Sequence, residues 1–150
     1  MNDYKKNVLP EITLKYKSGE FQKISIKDSS EAADLFRKFY DADLIEYREE
    51  FLLLLLNRAN KTLGYVKVST GGITGTVADP RIMLTTALIS GACSIMISHN
   101  HPSGSLYPSN QDIELTKRIA AGAALIDIKL MDHIIITPDS YYSFADHGQL

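Results

Sequence analysis

Ser98-His99-Asn100-His101-Pro102-Ser103-Gly104, followed by Ser109-Asn110-Gln111-Asp112, gathers the side chains of this sequence best suited to chemistry. The two imidazoles follow an apolar run, Cys93-Ser94-Ile95-Met96-Ile97, that reads as a buried strand. Residues i and i+2 of an extended chain point to the same side, so His99 and His101 can face one point. A divalent ion such as zinc accepts two imidazole nitrogens and one carboxylate oxygen and keeps a fourth position for water. Asp112 supplies the carboxylate, and the Pro102-Ser103-Gly104 turn gives the chain a way to fold back and deliver it. An open fourth position makes such a centre catalytic rather than structural.

Ser109 and Asp112 also have an ordinary structural reading. A serine N-cap with an acid three residues on is a capping box, written here with Asp. The two readings are compatible, because a carboxylate on the first turn of a helix is held by the backbone and suits a metal ligand.

Several elements must position these groups. Ile12-Thr13-Leu14-Lys15-Tyr16 and Phe21-Gln22-Lys23-Ile24-Ser25-Ile26 alternate apolar and polar around Lys17-Ser18-Gly19-Glu20, which predicts a β-hairpin. Asp28 stands three residues before Glu31 and predicts a helix start, with Ala32, Leu35, Phe36, Phe39 and Tyr40 as its buried stripe. The apolar run Phe51–Leu56 predicts a buried strand, with Leu63 to Val68 as its hairpin partner. Gly71 to Thr76 reads as a flexible loop, and an extended peptide could lie against its backbone. Asp79-Pro80 opens a helix to about Ser90, with Gly91 after it. Strand 93–98, a helix from Ser109 to about Ala124, and strands 126–130 and 133–137 complete the domain. This helix places Leu115, Ile119, Gly122 and Ala123 on one face. The fold class expected is α/β, a mixed and largely antiparallel sheet flanked by helices.

The bulk properties bound the function. A chain of 150 residues with 45% apolar content fits one globular domain. Its one cysteine, Cys93, excludes an internal disulfide and a cysteine-based zinc framework, and reads as a buried small side chain. The N-terminus has no apolar segment of the secretory kind, and Phe51–Leu56 is far short of the ~20 residues that cross a bilayer. A cytoplasmic location without membrane attachment is the expectation. The net charge of −2 is uneven: residues 1–27 are mildly basic and 28–50 acidic. That basic ribbon is a weak nucleic-acid footprint, and solvated lysines guarding strand edges explain it equally well.

The spacing His99-x-His101, seven residues, Ser109, two residues, Asp112 resembles the JAMM motif of the MPN+ (JAB) metalloprotease family. The wording His99-Asn100-His101-Pro102-Ser103-Gly104, with Asp132-His133 and a closing Ser143-Phe144-Ala145, resembles the RadC branch of that family. The resemblance spans residues 46–150 and leaves 1–45 as a short strand–helix extension packed on the core. RadC-type proteins usually carry a helix-hairpin-helix domain as well, and none is expected within these 150 residues.

The resemblance implies a cytidine-deaminase-like MPN architecture and a zinc ion on His99, His101 and Asp112. It also implies a glutamate that holds the metal's water, two positions before an aromatic or aliphatic core residue. That match falls on Glu49, ahead of Phe51. Glu50 would point to the other face of the strand, and a pair of solvated acids remains the structural alternative. In the implied mechanism zinc lowers the pKa of its water toward ~7, Glu49 moves the proton to the leaving amine and Ser109 hydrogen-bonds the oxyanion. Asn100, Ser98 and His133 stand unranked as partners of the ligands, and Leu106 and Tyr107 as a substrate-facing rim. The function expected is a zinc-dependent metallopeptidase or isopeptidase acting on a peptide or protein. The alternative is an MPN-type binding module in a DNA repair or recombination complex. A two-metal nuclease would need more carboxylates than this cluster offers, and the near-neutral charge disfavours strong non-specific DNA binding.

Overall fold

The computed structural model describes residues 12–71 and 77–150. Most of the predicted Gly71–Thr76 loop and residues 1–11 lie outside that range. The chain forms α1 (Ser29–Arg37), β1 (Glu50–Leu56), β2 (Thr62–Thr70), α2 (Pro80–Ser90), β3 (Ser94–Asn100), α3 (Asn110–Leu125), β4 (Lys129–Ile136) and β5 (Tyr141–Ser143). One five-stranded sheet has the order β2-β1-β3-β4-β5. Only β3 and β4 pair in parallel among these strands, and α3 is the crossover between them.

Local chemistry sets the helix starts. Asp28 accepts a hydrogen bond from the Glu31 amide at 2.8 Å, and Glu31 accepts from the Lys27 amide at 2.9 Å. Asp79 caps α2 through the Arg81 amide, Pro80 takes the first helical turn, and Gly91 ends the helix at φ 66°, a left-handed conformation that glycine adopts without strain.

The sheet separates two apolar layers. Alternation along β1 sends Phe51, Leu53 and Leu55 to one face, where Ile95, Ile97, Met83, Ala87, Ile119 and Ala123 cover them. Leu52, Leu54 and Leu56 face the other side with Met96, Ile134 and Ile136, covered by Ala32, Leu35 and Phe36 of α1 and by Tyr40. Fully burying one such side chain contributes about 1.5–3 kcal/mol. Helix α2 meets α3 closely enough that a Cβ at Gly122 would stand 3.0 Å from Leu84 Cδ1.

Four expectations are corrected. The predicted 12–16/21–26 hairpin does not form. Ser25 makes a single antiparallel bridge to Lys61, and Ile12 and Leu14 are 88% and 71% exposed. Two strands with no covering layer are marginal in water. Strand β3 runs from Ser94 through Asn100, beyond the expected 93–98, so it carries His99 itself. The two strands expected at 126–130 and 133–137 are one continuous β4; Ile126 is the cap of α3 instead, and Asp127 takes φ 57°. Cys93 is exposed, because it lies in the connection before β3 rather than inside the strand.

Candidate metal centre

The site lies where β3 ends and α3 begins. His99 and Asn100 close β3, and the His101 amide continues the ladder by donating to the Ile136 carbonyl at 2.9 Å. Alternation then puts His99 and His101 on the face that α3 covers, while Ser98 and Asn100 turn to the α1 side. At the start of α3 Ser109 is the N-cap. Its Oγ accepts from the Asp112 amide at 3.1 Å, and its own amide donates to Asp112 Oδ2 at 2.7 Å. The capping box therefore forms, and it aims the Asp112 carboxylate back at the histidines.

His99 Nε2 lies 2.9 Å from His101 Nε2 and 3.2 Å from Asp112 Oδ1, and His101 Nε2 lies 3.5 Å from Asp112 Oδ2. One ligand atom from each of the three residues falls within 4.8 Å of the others. The donor chemistry fits a cation. His101 Nδ1 stands 2.7 Å from the Ser105 carbonyl, which only accepts, so Nδ1 carries the ring proton. The lone pair of neutral His101 is then on Nε2 and points at the other two groups. Burial pulls the His101 imidazole down, but Asp112 and the Ser105 carbonyl outweigh it and leave the group raised. Burial likewise pushes Asp112 up, and the proximity of the His101 and His99 rings overcomes it and holds the carboxylate well below the usual range.

Glu49 is half-buried and is not a member of that cluster. Its carbonyl accepts from the Gly71 amide at 2.8 Å, which extends the β1–β2 ladder by one position. Burial pushes its carboxyl above the usual carboxylate range, His99 and His101 pull against it, and Asp112 adds to the rise. The Glu49 carboxyl is thus electrostatically coupled to all three groups of the cluster. Glu50 takes the other face: it is 2% exposed, and its Oε1 meets Lys67 Nζ at 2.8 Å and Arg48 at 3.9 Å.

The three unranked partners now separate by geometry. His133 Nε2 lies 2.8 Å from His99 Nδ1, and its Nδ1 lies 2.6 Å from Thr116 Oγ1. Burial drives the His133 imidazole well below its ordinary value, in the direction of the neutral ring. Asn100 accepts from the Glu50 amide at 2.7 Å and donates to the carbonyls of Arg48 and Ile45 at 2.9 and 2.8 Å. It grips the backbone on both sides of Glu49. Ser98 meets the Tyr40 hydroxyl at 2.8 Å on the opposite face, away from the ligands. Thr116 was missed by sequence reasoning. Its one signal is the spacing i+4 from Asp112, which puts it on the same face of α3.

A family model described as the RadC-like JAB domain matches residues 26–149. The chain belongs to this family. The RadC-like JAB match begins just before α1, so it takes in that helix as well as the sheet. A "UPF0758 protein" of Flavobacterium johnsoniae is 45% identical over 100 residues, which is 67% of this chain and 44% of the relative. The "UPF0758 protein YfjY" of Escherichia coli K12 is 39% identical over 103 residues, covering 69% of this chain and 64% of that one. A relative from Geotalea uraniireducens is 33% identical over 140 residues, 93% of this chain and 60% of its own length. The chain thus spans 44–64% of the length of these three curated relatives. Among the described residues no helix is long and apolar enough to cross a membrane.

Proposed function

We propose that this RadC-like JAB domain is a zinc-dependent amide hydrolase, a metallopeptidase or isopeptidase acting on a peptide or protein. The observation that carries the reading is the convergence of His99 Nε2, His101 Nε2 and an Asp112 carboxylate, and the electrostatic coupling of Glu49 to all three supports it. These three residues would hold the metal. Bound zinc would supply an acidified water and a Lewis-acid contact for the scissile carbonyl.

The chain's own groups do the rest. Glu49 takes a proton from the attacking water and returns it to the leaving amine, a role that contributes about 10²–10⁴ in rate. A carboxyl raised by burial suits both halves of that transfer. The Ser109 hydroxyl accepts from the Asp112 amide, which leaves its own proton for the oxyanion that develops on the carbonyl. One such donor is worth about 3 kcal/mol. Exposed Tyr107, beyond the His101 turn, would form part of the substrate rim.

The test is metal content and amide hydrolysis in two variants, screened with a peptide library on zinc-loaded protein. His99→Ala should lose zinc. Glu49→Gln should keep zinc and lose hydrolysis by 10² or more. Hydrolysis untouched in Glu49→Gln removes the general base, and wild-type protein that takes up no zinc removes the reading altogether.

A further inference from the structure

We propose that Thr116 and His133 are positioning residues that fix the proton of His99 on Nδ1, so that the Nε2 lone pair faces the metal. The proposal rests on reading His99, His101 and Asp112 as a metal centre, and it concerns two residues outside that cluster.

The assignment follows from counting protons. Thr116 Oγ1 lies 2.6 Å from the carbonyl oxygen of Asp112, one helical turn earlier. A carbonyl only accepts, so the single hydroxyl proton goes there. The same Oγ1 lies 2.6 Å from His133 Nδ1. With its proton committed, the oxygen can only accept, and His133 Nδ1 is the donor. The His133 ring is fully buried, with no carboxylate partner among the described residues, so it holds this one proton and carries a lone pair on Nε2. His99 Nδ1 lies 2.8 Å from that lone pair and must donate to it. With one ring proton placed on Nδ1, the other His99 nitrogen, Nε2, is the bare one where it meets His101 Nε2 and Asp112 Oδ1.

The path starts at the backbone of one ligand and ends at the ring of another, crossing from α3 through β4 to β3. Thr116, His133 and His99 are 1%, 0% and 0% exposed, so solvent water cannot stand in for a missing member. Without the Thr116 oxygen, His133 has no acceptor for Nδ1–H. Its favoured tautomer becomes Nε2–H, which donates to His99 Nδ1 and moves the His99 proton onto the nitrogen that the metal needs. Partners of this kind typically change metal affinity by about 10–100-fold.

The experiment uses the metal-free full chain with ¹⁵N-labelled histidine, reading each ring tautomer by long-range ¹H–¹⁵N NMR, and Zn²⁺ affinity by chelator competition. Wild type should show His99 as the Nδ1–H tautomer. Thr116→Val, nearly isosteric, should shift His99 toward Nε2–H and weaken Zn²⁺ binding about 10–100-fold, and Thr116→Ser should restore both. An Nε2–H tautomer in wild-type His99 overturns the proposal. So does a folded Thr116→Val protein with wild-type tautomer and affinity. If Thr116→Val fails to fold, the wild-type tautomer decides alone. His99 as Nδ1–H in a protein that binds no zinc would sink the metal-centre reading and leave the relay standing. Tight zinc binding with His99 as Nε2–H would do the reverse.

Discussion

Phe51 and His99 oppose each other across the antiparallel β1–β3 pair, with ring planes 1° apart and centroids 5.7 Å apart. Phe51 also lies 5.7 Å from the His133 ring at a tilt of 54°. One buried benzyl group thus limits the rotation of two imidazoles, and Glu49 stands two residues before it in the sequence. Phe51→Ala should cost about 3–5 kcal/mol of stability, the usual range for a buried aromatic cut to alanine. The urea midpoint measures it, and zinc affinity should fall with it because His99 gains rotamer freedom. Loss of less than 1 kcal/mol would show that the ring is not part of the packed wall.

Asn100 offers a sharper separation of roles. Asn100→Asp keeps an oxygen for the Glu50 amide but sets a carboxylate against the Ile45 and Arg48 carbonyls. The segment carrying Glu49 should loosen while the imidazoles stay put. Turnover of whichever amide substrate the library yields should drop at least tenfold, with zinc content unchanged. Equal loss of zinc and turnover would mean that Asn100 supports the strand end as a whole.

Asp132 makes stability depend on pH in the reverse of the usual carboxylate sense. Burial raises its carboxyl, against hydrogen bonds from the Ser143 hydroxyl and the Ala145 and His133 amides, and the Asp146 charge adds to the rise. A raised folded-state pKa favours the protonated form in the native protein. Its stabilising contribution is complete below the unfolded value of about 3.9 and is lost as pH rises through the folded value. Denaturant unfolding of wild type and Asp132→Asn from pH 4 to 7 should therefore show the wild type losing ground to the variant as pH increases. A constant difference would remove Asp132 from the pH response.

Metal removal should be visible without any substrate. Zinc at 100 times its dissociation constant adds about 2.7 kcal/mol to a protein that binds it only when folded. Chelator should lower the thermal midpoint of wild type and leave that of His101→Ala where it is. His101 suits this test because it lies outside the strand and is only half-buried. An equal chelator effect on both proteins would move the metal elsewhere.

The parts of this fold that depend on neighbouring residues were legible in the sequence. Asp28 with Glu31, Asp79 with Pro80 and Ser109 with Asp112 announce helix starts because the hydrogen bonds that make them are local. His99 and His101 share a face for the same reason. What depends on alignment between distant strands was not legible. Asn100 meets Glu50 across fifty positions of sequence, and nothing near either residue announces it. The Asp132-His133 pair reads as an interruption between strands, yet β4 runs through it because Ser143 and His99 partner these polar side chains inside. Residues 12–16 alternate as a strand would, but alternation gives only a capacity to pair, and no layer covers them.

The five leucines from 52 to 56 carry a further consequence. Strand pairing is normally locked by which side chains are apolar, since a slip moves them to the wrong face. Along this run a slip replaces leucine with leucine on both faces, so the middle of β1 is indifferent to its own alignment. Discrimination falls to the end of the strand, where Phe51 opposes His99, the Glu50 amide meets Asn100, and the Glu50 carboxylate meets Lys67. The same few residues that frame Glu49 thus choose among near-degenerate sheets, and substitutions there are expected to yield mixtures of alignments as well as weakened sites.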